Sequence, residues 1–140
     1  MPRKTATSPS GLLAAFADPT RLRILNLLHD GDLCVGDLVQ LLRVPQPTAS
    51  RHLAHLRRAG LVATRKEGLW VFYALARPAA PFHAKLIECL ACCFREVPEL
   101  ARDRVRAERL REAGGCCPLH APCRPPARSR TARRAAPCCS

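Results

Sequence analysis

Residues 32–75 read DLCVGDLVQLLRVPQPTASRHLAHLRRAGLVATRKEGLWVFYAL, and a change of hydrophobic period inside this stretch decides the fold. In its first part Leu38, Leu41 and Leu42 recur on one face of a helix expected over about residues 35–42. Arg43-Val44-Pro45-Gln46 breaks that helix, and Pro47 opens a second one that stops at Gly60. The apolar positions of the second helix, Ala49, Leu53 and Leu56, leave Thr48, Ser50, Arg51, His52 and His55 on its more polar faces. Two short helices joined by a tight turn, the second polar and basic, form a helix-turn-helix pattern. The period then shifts towards two. Leu61–Arg65 and Leu69–Leu75 are β-favouring runs separated by Lys66-Glu67-Gly68, which predicts a hairpin with a tight turn. A hairpin directly after such a helix is a wing, and its basic tip, Arg65 and Lys66, suits contact with phosphate or the minor groove.

Working outward, Asp18-Pro19 is a strong helix start, with a carboxylate to cap and a proline where no amide is needed. Leu22, Leu25 and Leu28 then follow at helical spacing up to Gly31, and a short helix is expected before them at residues 11–17. Residues 1–10 are rich in Pro, Ser and Thr and are expected to be a disordered basic arm. On the other side Pro78 and Pro81 bracket the exit from the wing. A long helix is predicted from Phe82 to Val97, with Phe82, Leu86, Leu90, Phe94 and Val97 along one stripe. Little of the domain is left to cover that stripe, so it is expected to pack against a second copy of the chain. Pro98 interrupts, residues 99–114 form a charged helical extension, and residues 115–140 are a Cys/Pro/Arg-rich tail expected to stay disordered unless metal or DNA orders it. The domain proper is thus residues 11–98, and the fold class is mainly α (α+β): a winged helix-turn-helix with a two-stranded wing and a long C-terminal dimerisation helix.

Composition narrows the function. Lys and Arg outnumber Asp and Glu by 23 to 11, a formal charge of +12 in 140 residues, which favours a polyanionic partner. With 48% hydrophobic but only 4% aromatic residues, Leu, Ala and Val must build the core, which tilts the chain towards helices. No apolar run is long enough to span a membrane and the first residues lack the hydrophobic stretch of a signal peptide, so a cytoplasmic protein is expected. There nine cysteines point to metal binding or redox sensing rather than structural disulfides. No Ser/His/Asp set, paired-carboxylate site or Gly-rich phosphate loop is visible, so the chain does not read as an enzyme.

The residues that carry the DNA reading also carry a family resemblance. Leu33-Cys34-Val35, Asp37-Leu38, Gln46-Pro47-Thr48, Ser50-Arg51-His52-Leu53, Leu56, Ala59-Gly60-Leu61-Val62 and Arg65 through Tyr73, preceded by ADPTRLRIL at residues 17–25, resemble the ArsR/SmtB family of bacterial metal-responsive repressors. The resemblance spans about residues 12–97. It implies a homodimer that binds double-stranded operator DNA with an inverted repeat, its half-sites about one helical turn apart. A recognition helix entering the major groove needs small or hydrogen-bonding residues near its start, and Gln46, Thr48, Ser50, Arg51 and His52 supply them, with His55 further along. Arg57 and Arg58 suit phosphate contacts or the negative helix end.

The resemblance also directs attention to the thiols. Arsenic-sensing members carry Cys-Val-Cys at the start of the first helix of the motif; here it is Cys34-Val35-Gly36, with Val39 where a third thiol is often found. One thiolate is a poor site for a soft ion, so Cys34 reads as a small buried residue and only weakly as a ligand. At about 100° per residue, Cys89, Cys92 and Cys93 share one helix face within a turn. That set, completed by Cys116, Cys117 and Cys123 beyond a Gly-Gly, is the candidate site for As(III) or Sb(III) as inducer. Zn(II) is the alternative ligand, since CCPLHAPC at residues 116–123 carries thiols and His120 in compressed spacing. His83 and Glu88 alone do not make the Asp/His/Glu site found on this helix in other members. The function expected is a repressor released from its operator by a thiophilic metalloid; the alternative is a thiol-redox- or Zn/Cd-responsive repressor of the same fold.

Overall fold

The computed structural model describes residues 8–114. Six helices are present in the described residues: α1 (Pro9–Phe16), α2 (Pro19–His29), α3 (Val35–Leu42), α4 (Gln46–Arg58), α5 (Pro81–Cys92) and α6 (Pro98–Glu112). Three short strands accompany them, β1 (Leu33–Cys34), β2 (Val62–Glu67) and β3 (Trp70–Leu75). Local chemistry explains most of the boundaries. The Asp18 carboxylate accepts from the Arg21 amide at 3.0 Å, and Pro19 takes the first helical position of α2. Helix α4 ends in Gly60 at φ 76°, with Leu61 N bonded to Leu56 O and Gly60 N to Arg57 O, which satisfies its last carbonyls. Between α3 and α4 the left-handed residue is not a glycine but Arg43, at φ 56°.

The wing is a true hairpin. Glu67 pairs with Trp70 across a two-residue loop, and Gly68 takes φ 60° at the first loop position. Leu69, expected to start a strand, is instead the loop tip and almost wholly exposed at 99%. The sheet also has a third member. Leu33 and Cys34 pair with Tyr73 and Phe72, giving the order β1-β3-β2, so the wing grows from a strand that leads directly into α3.

The core is aliphatic. Ile24, Leu25 and Leu27 of α2, Leu38 of α3, Leu53 and Leu56 of α4, Leu33 of β1 and Leu61 just before β2 are all essentially inaccessible. No helix in the described residues is long and apolar enough to cross a membrane.

Two expectations need correction at the C-terminal side. The helix predicted over 82–97 ends at Cys92; a turn follows, and Val97 becomes the N-cap of α6. Pro98 at the start of α6 disfavours helical geometry in Val97, so the two helices cannot run on as one. The stripe is not left bare either: Leu90 is fully buried and Leu86, Ile87 and Phe94 pack on the core of the same chain. The charged segment then folds back across α2 and α3. Leu100, Asp103 and Ala107 are buried against them. At the other end, helix begins at Pro9 under a Ser8 cap, inside the stretch read as a disordered arm. Residues 1–7 of that arm, and the tail from 115 to 140 that begins at the charged helix's Gly-Gly, lie outside the described residues.

Candidate nucleic-acid interface and cysteine pair

Helix α4 presents the residues expected to meet DNA. Ala49, Leu53 and Leu56 anchor it in the core, and this leaves Gln46, Ser50 and Arg51 exposed, with Thr48, His52 and His55 half-buried to one side. On that side the helix faces the start of α2. Arg21, the residue missed in the sequence, donates to Ala15 O at 3.0 Å and Ala14 O at 2.9 Å, fastening the end of α1. The same arginine joins Thr48, Arg51, His52, His55 and Arg58 around a cavity of about 400 Å3. A cationic hollow of this kind is a natural seat for a backbone phosphate. The signal that could have revealed Arg21 is its place in the first turn of α2, three residues from the Asp18 cap.

The electrostatics of the hollow are uneven. His52 Nδ1 lies 3.8 Å from Asp18 Oδ1, so this ring leans on a carboxylate at the start of α2. Burial raises the Asp18 pKa, but the Arg21 amide and the His52 and Arg21 charges outweigh it and leave the group below its ordinary value. For His55 the balance runs the other way. Burial, then the charges of Arg21, Arg58 and His52, push its pKa below the usual histidine value.

The two basic wing residues differ. Arg65 is held within the protein, 2.9 Å from Glu67 Oε1 and 3.4 Å from Asp32 Oδ2, with its guanidinium 4.9 Å from the Phe72 ring centroid. Lys66 is exposed and has no ion pair among the described residues.

The cysteines divide by location. Cys34 is buried at the N-cap of α3, where its sulfur accepts from the Asp37 amide at 3.4 Å and packs with Phe72 and Trp70. Cys92 and Cys93, at the end of α5, bring their sulfurs to 3.7 Å, and Cys92 Sγ also lies 3.2 Å from Glu88 O. Cys93 is exposed, Cys89 and Cys92 half-buried, and the Cys92 sulfur is disulfide-bonded. No group of three or more His, Cys, Asp or Glu side chains converges into a metal site among the described residues, so Cys89 does not close a threefold set with the pair. Cys116, Cys117 and Cys123 lie outside those residues. His83 is buried, its Nδ1 accepting from the Ala79 amide at 3.3 Å, while Glu88 is exposed and paired with Lys85, so the two do not meet.

The comparisons with known proteins fit this geometry. The family described as "Bacterial regulatory protein, arsR family" matches residues 18–64, from the α2 cap into the wing. The arsenical resistance operon repressor of Escherichia coli K12 is 40% identical over 111 residues, which cover 78% of this chain and 95% of that protein. Among solved structures, HlyU from Vibrio cholerae N16961 superposes with a TM-score of 0.53 at 43% identity, covering 64% of this chain and 94% of that one. The transcriptional repressor BigR from Xylella fastidiosa gives a TM-score of 0.54 at 30% identity, covering 64% of this chain and 84% of its own. With a winged helix-turn-helix, a basic reading helix and near-complete coverage of such relatives, the chain belongs to the arsR family of bacterial regulatory proteins, DNA-binding regulators of transcription and not enzymes.

Proposed function

We propose that the protein is a cytoplasmic homodimeric repressor that holds an inverted-repeat operator and releases it when As(III) or Sb(III) is captured by cysteine thiolates. The ligands in this reading are Cys92 and Cys93, with Cys89 drawn in from the preceding turn on capture and the set completed by Cys116, Cys117 and Cys123. The observation that carries it is the 3.7 Å approach of the Cys92 and Cys93 sulfurs at the joint between α5 and α6, a pair that becomes two thiolates once the Cys92 disulfide is reduced. Trivalent arsenic and antimony are thiophilic, and a pair of adjacent sulfurs is the start of a two- or three-coordinate site. The similarity to an arsenical resistance operon repressor supports the same class of inducer. Dimerisation is supported by Leu13 on α1 and Phe82 on α5, large apolar side chains 51% and 39% exposed on two helices that pack together.

DNA would be read by Gln46, Thr48, Ser50, Arg51, His52 and His55, with Lys66 and Arg65 on the wing. Ligation at the α5–α6 joint pulls on helices that rest on α2, and so changes the spacing of the two reading heads. Linkage makes the effect reciprocal: operator DNA weakens metalloid binding by the factor by which metalloid weakens operator binding.

A second reading is favoured by the disulfide at Cys92: oxidation of that thiol, rather than metalloid capture, sets operator affinity. Operator release measured by fluorescence anisotropy with As(III), Sb(III), Cd(II), Zn(II) and peroxide separates the two. Release of the reduced protein by As(III) or Sb(III), abolished in Cys92→Ser/Cys93→Ser, is the expected result. Release by peroxide alone selects the redox reading, release by Cd(II) or Zn(II) alone a different metal, and normal As(III) release from the double variant overturns the assigned site.

A further inference from the structure

The fold-back of α6 creates a groove that neither DNA binding nor the cysteines use. It lies between α6 and the turn that ends α3, with a volume of about 700 Å3, in the range of small-molecule sites. Five arginines line it against two carboxylates, Asp103 and Glu99. Two of the five are already committed. Arg23 is bound to Asp103 through both ends of its guanidinium and approaches Glu99, and Arg106 is bound to Asp103 as well. The other three, Arg43, Arg102 and Arg109, have no acidic partner among the described residues. Arg43 and Arg109, with Arg106, also line an adjoining hollow of about 430 Å3.

The remaining wall is apolar. Leu42, Ala101 and Val105 contribute to it, and Val105 is 47% exposed. Uncompensated guanidinium groups around a hydrocarbon floor match a ligand with the same two parts. Residues 115–140 are an unsuitable occupant, since they contain arginines and no Asp or Glu side chain.

We propose that this groove binds a small organic anion, an aliphatic or aromatic body bearing a carboxylate or phosphate, clasped between Arg43 on one side and Arg102 and Arg109 on the other. Position gives the site a regulatory consequence. Arg43 holds the left-handed turn and lies three residues before the recognition helix begins at Gln46. A ligand that ties Arg43 to α6 fixes the entry to that helix, so occupancy and operator binding are coupled, independently of the cysteines.

Calorimetric titration of the full chain with phenylphosphate and benzoate, with inorganic phosphate and benzyl alcohol as comparators, tests this. Phenylphosphate or benzoate is expected to bind at millimolar concentration or below, and each comparator at least about tenfold more weakly. Arg102→Gln/Arg109→Gln should weaken binding about tenfold with circular dichroism and melting temperature unchanged. Arg43→Gln, on a different element, provides the same readout should the double variant melt early. No binding to the wild type, equal binding to both variants, or binding no better than inorganic phosphate overturns the proposal. So does loss of operator affinity in the double variant without any effect on the probe, which would make these arginines contacts to the DNA backbone.

Discussion

His55 sits in a hollow whose charge is almost all of one sign. Burial and then Arg21, Arg58 and His52 hold its pKa down in the isolated protein. A phosphate entering the hollow reverses that balance and raises the pKa, so the complex binds more protons than its separated parts. Operator affinity should therefore rise as pH falls from about 8 to about 6, through the ordinary histidine value of about 6.5, and His55→Gln should flatten the profile in anisotropy titrations. A wild-type profile already flat would place the phosphate elsewhere. Exposed Arg51 and Lys66 separate by a different measurement. Arg51→Ala should cost about 1–3 kcal/mol of operator binding, and Lys66→Ala should lower the slope of log affinity against log salt by about 1. Arg65→Ala should change that slope less than Lys66→Ala does, because its guanidinium is shared between Glu67 and Asp32.

At the scale of elements, α6 is joined to α2 by buried polar contacts as well as by the apolar Leu100 and Ala107. Asp103 is fully buried and binds Arg23 at 2.7 and 3.0 Å. Buried Asn26 donates to Leu100 O and accepts from Arg104, whose other end reaches Leu90 O on α5. Removing the buried partner leaves Arg23 with only the exposed Glu99 at 3.6 Å as an acidic partner among the described residues, so Asp103→Ala should lower unfolding free energy by about 3 kcal/mol in urea titrations. Glu99→Ala, which removes an exposed contact at 3.6 Å to the same arginine, should stay within about 1 kcal/mol. This helix is also where sequence reading stopped short. Asp18-Pro19, the apolar spacing of α3 and α4 and the glycine turn of the wing are local signals, and each marks an element whose type its neighbours in the chain determine. Asp103 and Arg23 stand 80 residues apart. Nothing near either residue says that they meet, so an Arg-rich helix reads as a solvated one. The cysteines show the same divide: adjacency puts Cys92 and Cys93 together, whereas the end of α5 at Cys92 and the path of the chain beyond depend on how α6 docks.

For the whole molecule, the proposed two-fold assembly turns on α1 and α5. The joint variant Leu13→Glu/Phe82→Glu places carboxylates on the two exposed apolar positions and leaves the core untouched. Sedimentation velocity should show it as a monomer with native helicity, and its affinity for a full inverted repeat should fall to that for a half-site. A variant that remains dimeric would move the interface to another face. A further tie between α6 and α2 bears on how a new molecule is made. Arg111 donates to Leu27 O at 3.0 Å and Gly31 O at 3.1 Å, so the carbonyl end of α2 is closed by a side chain some 80 residues later. While the chain is still on the ribosome, the reading helix is complete long before that arginine emerges, and α2 waits with its last carbonyls in water. The clamp therefore closes last, and a prematurely terminated copy carries the recognition residues without the framework that aims them.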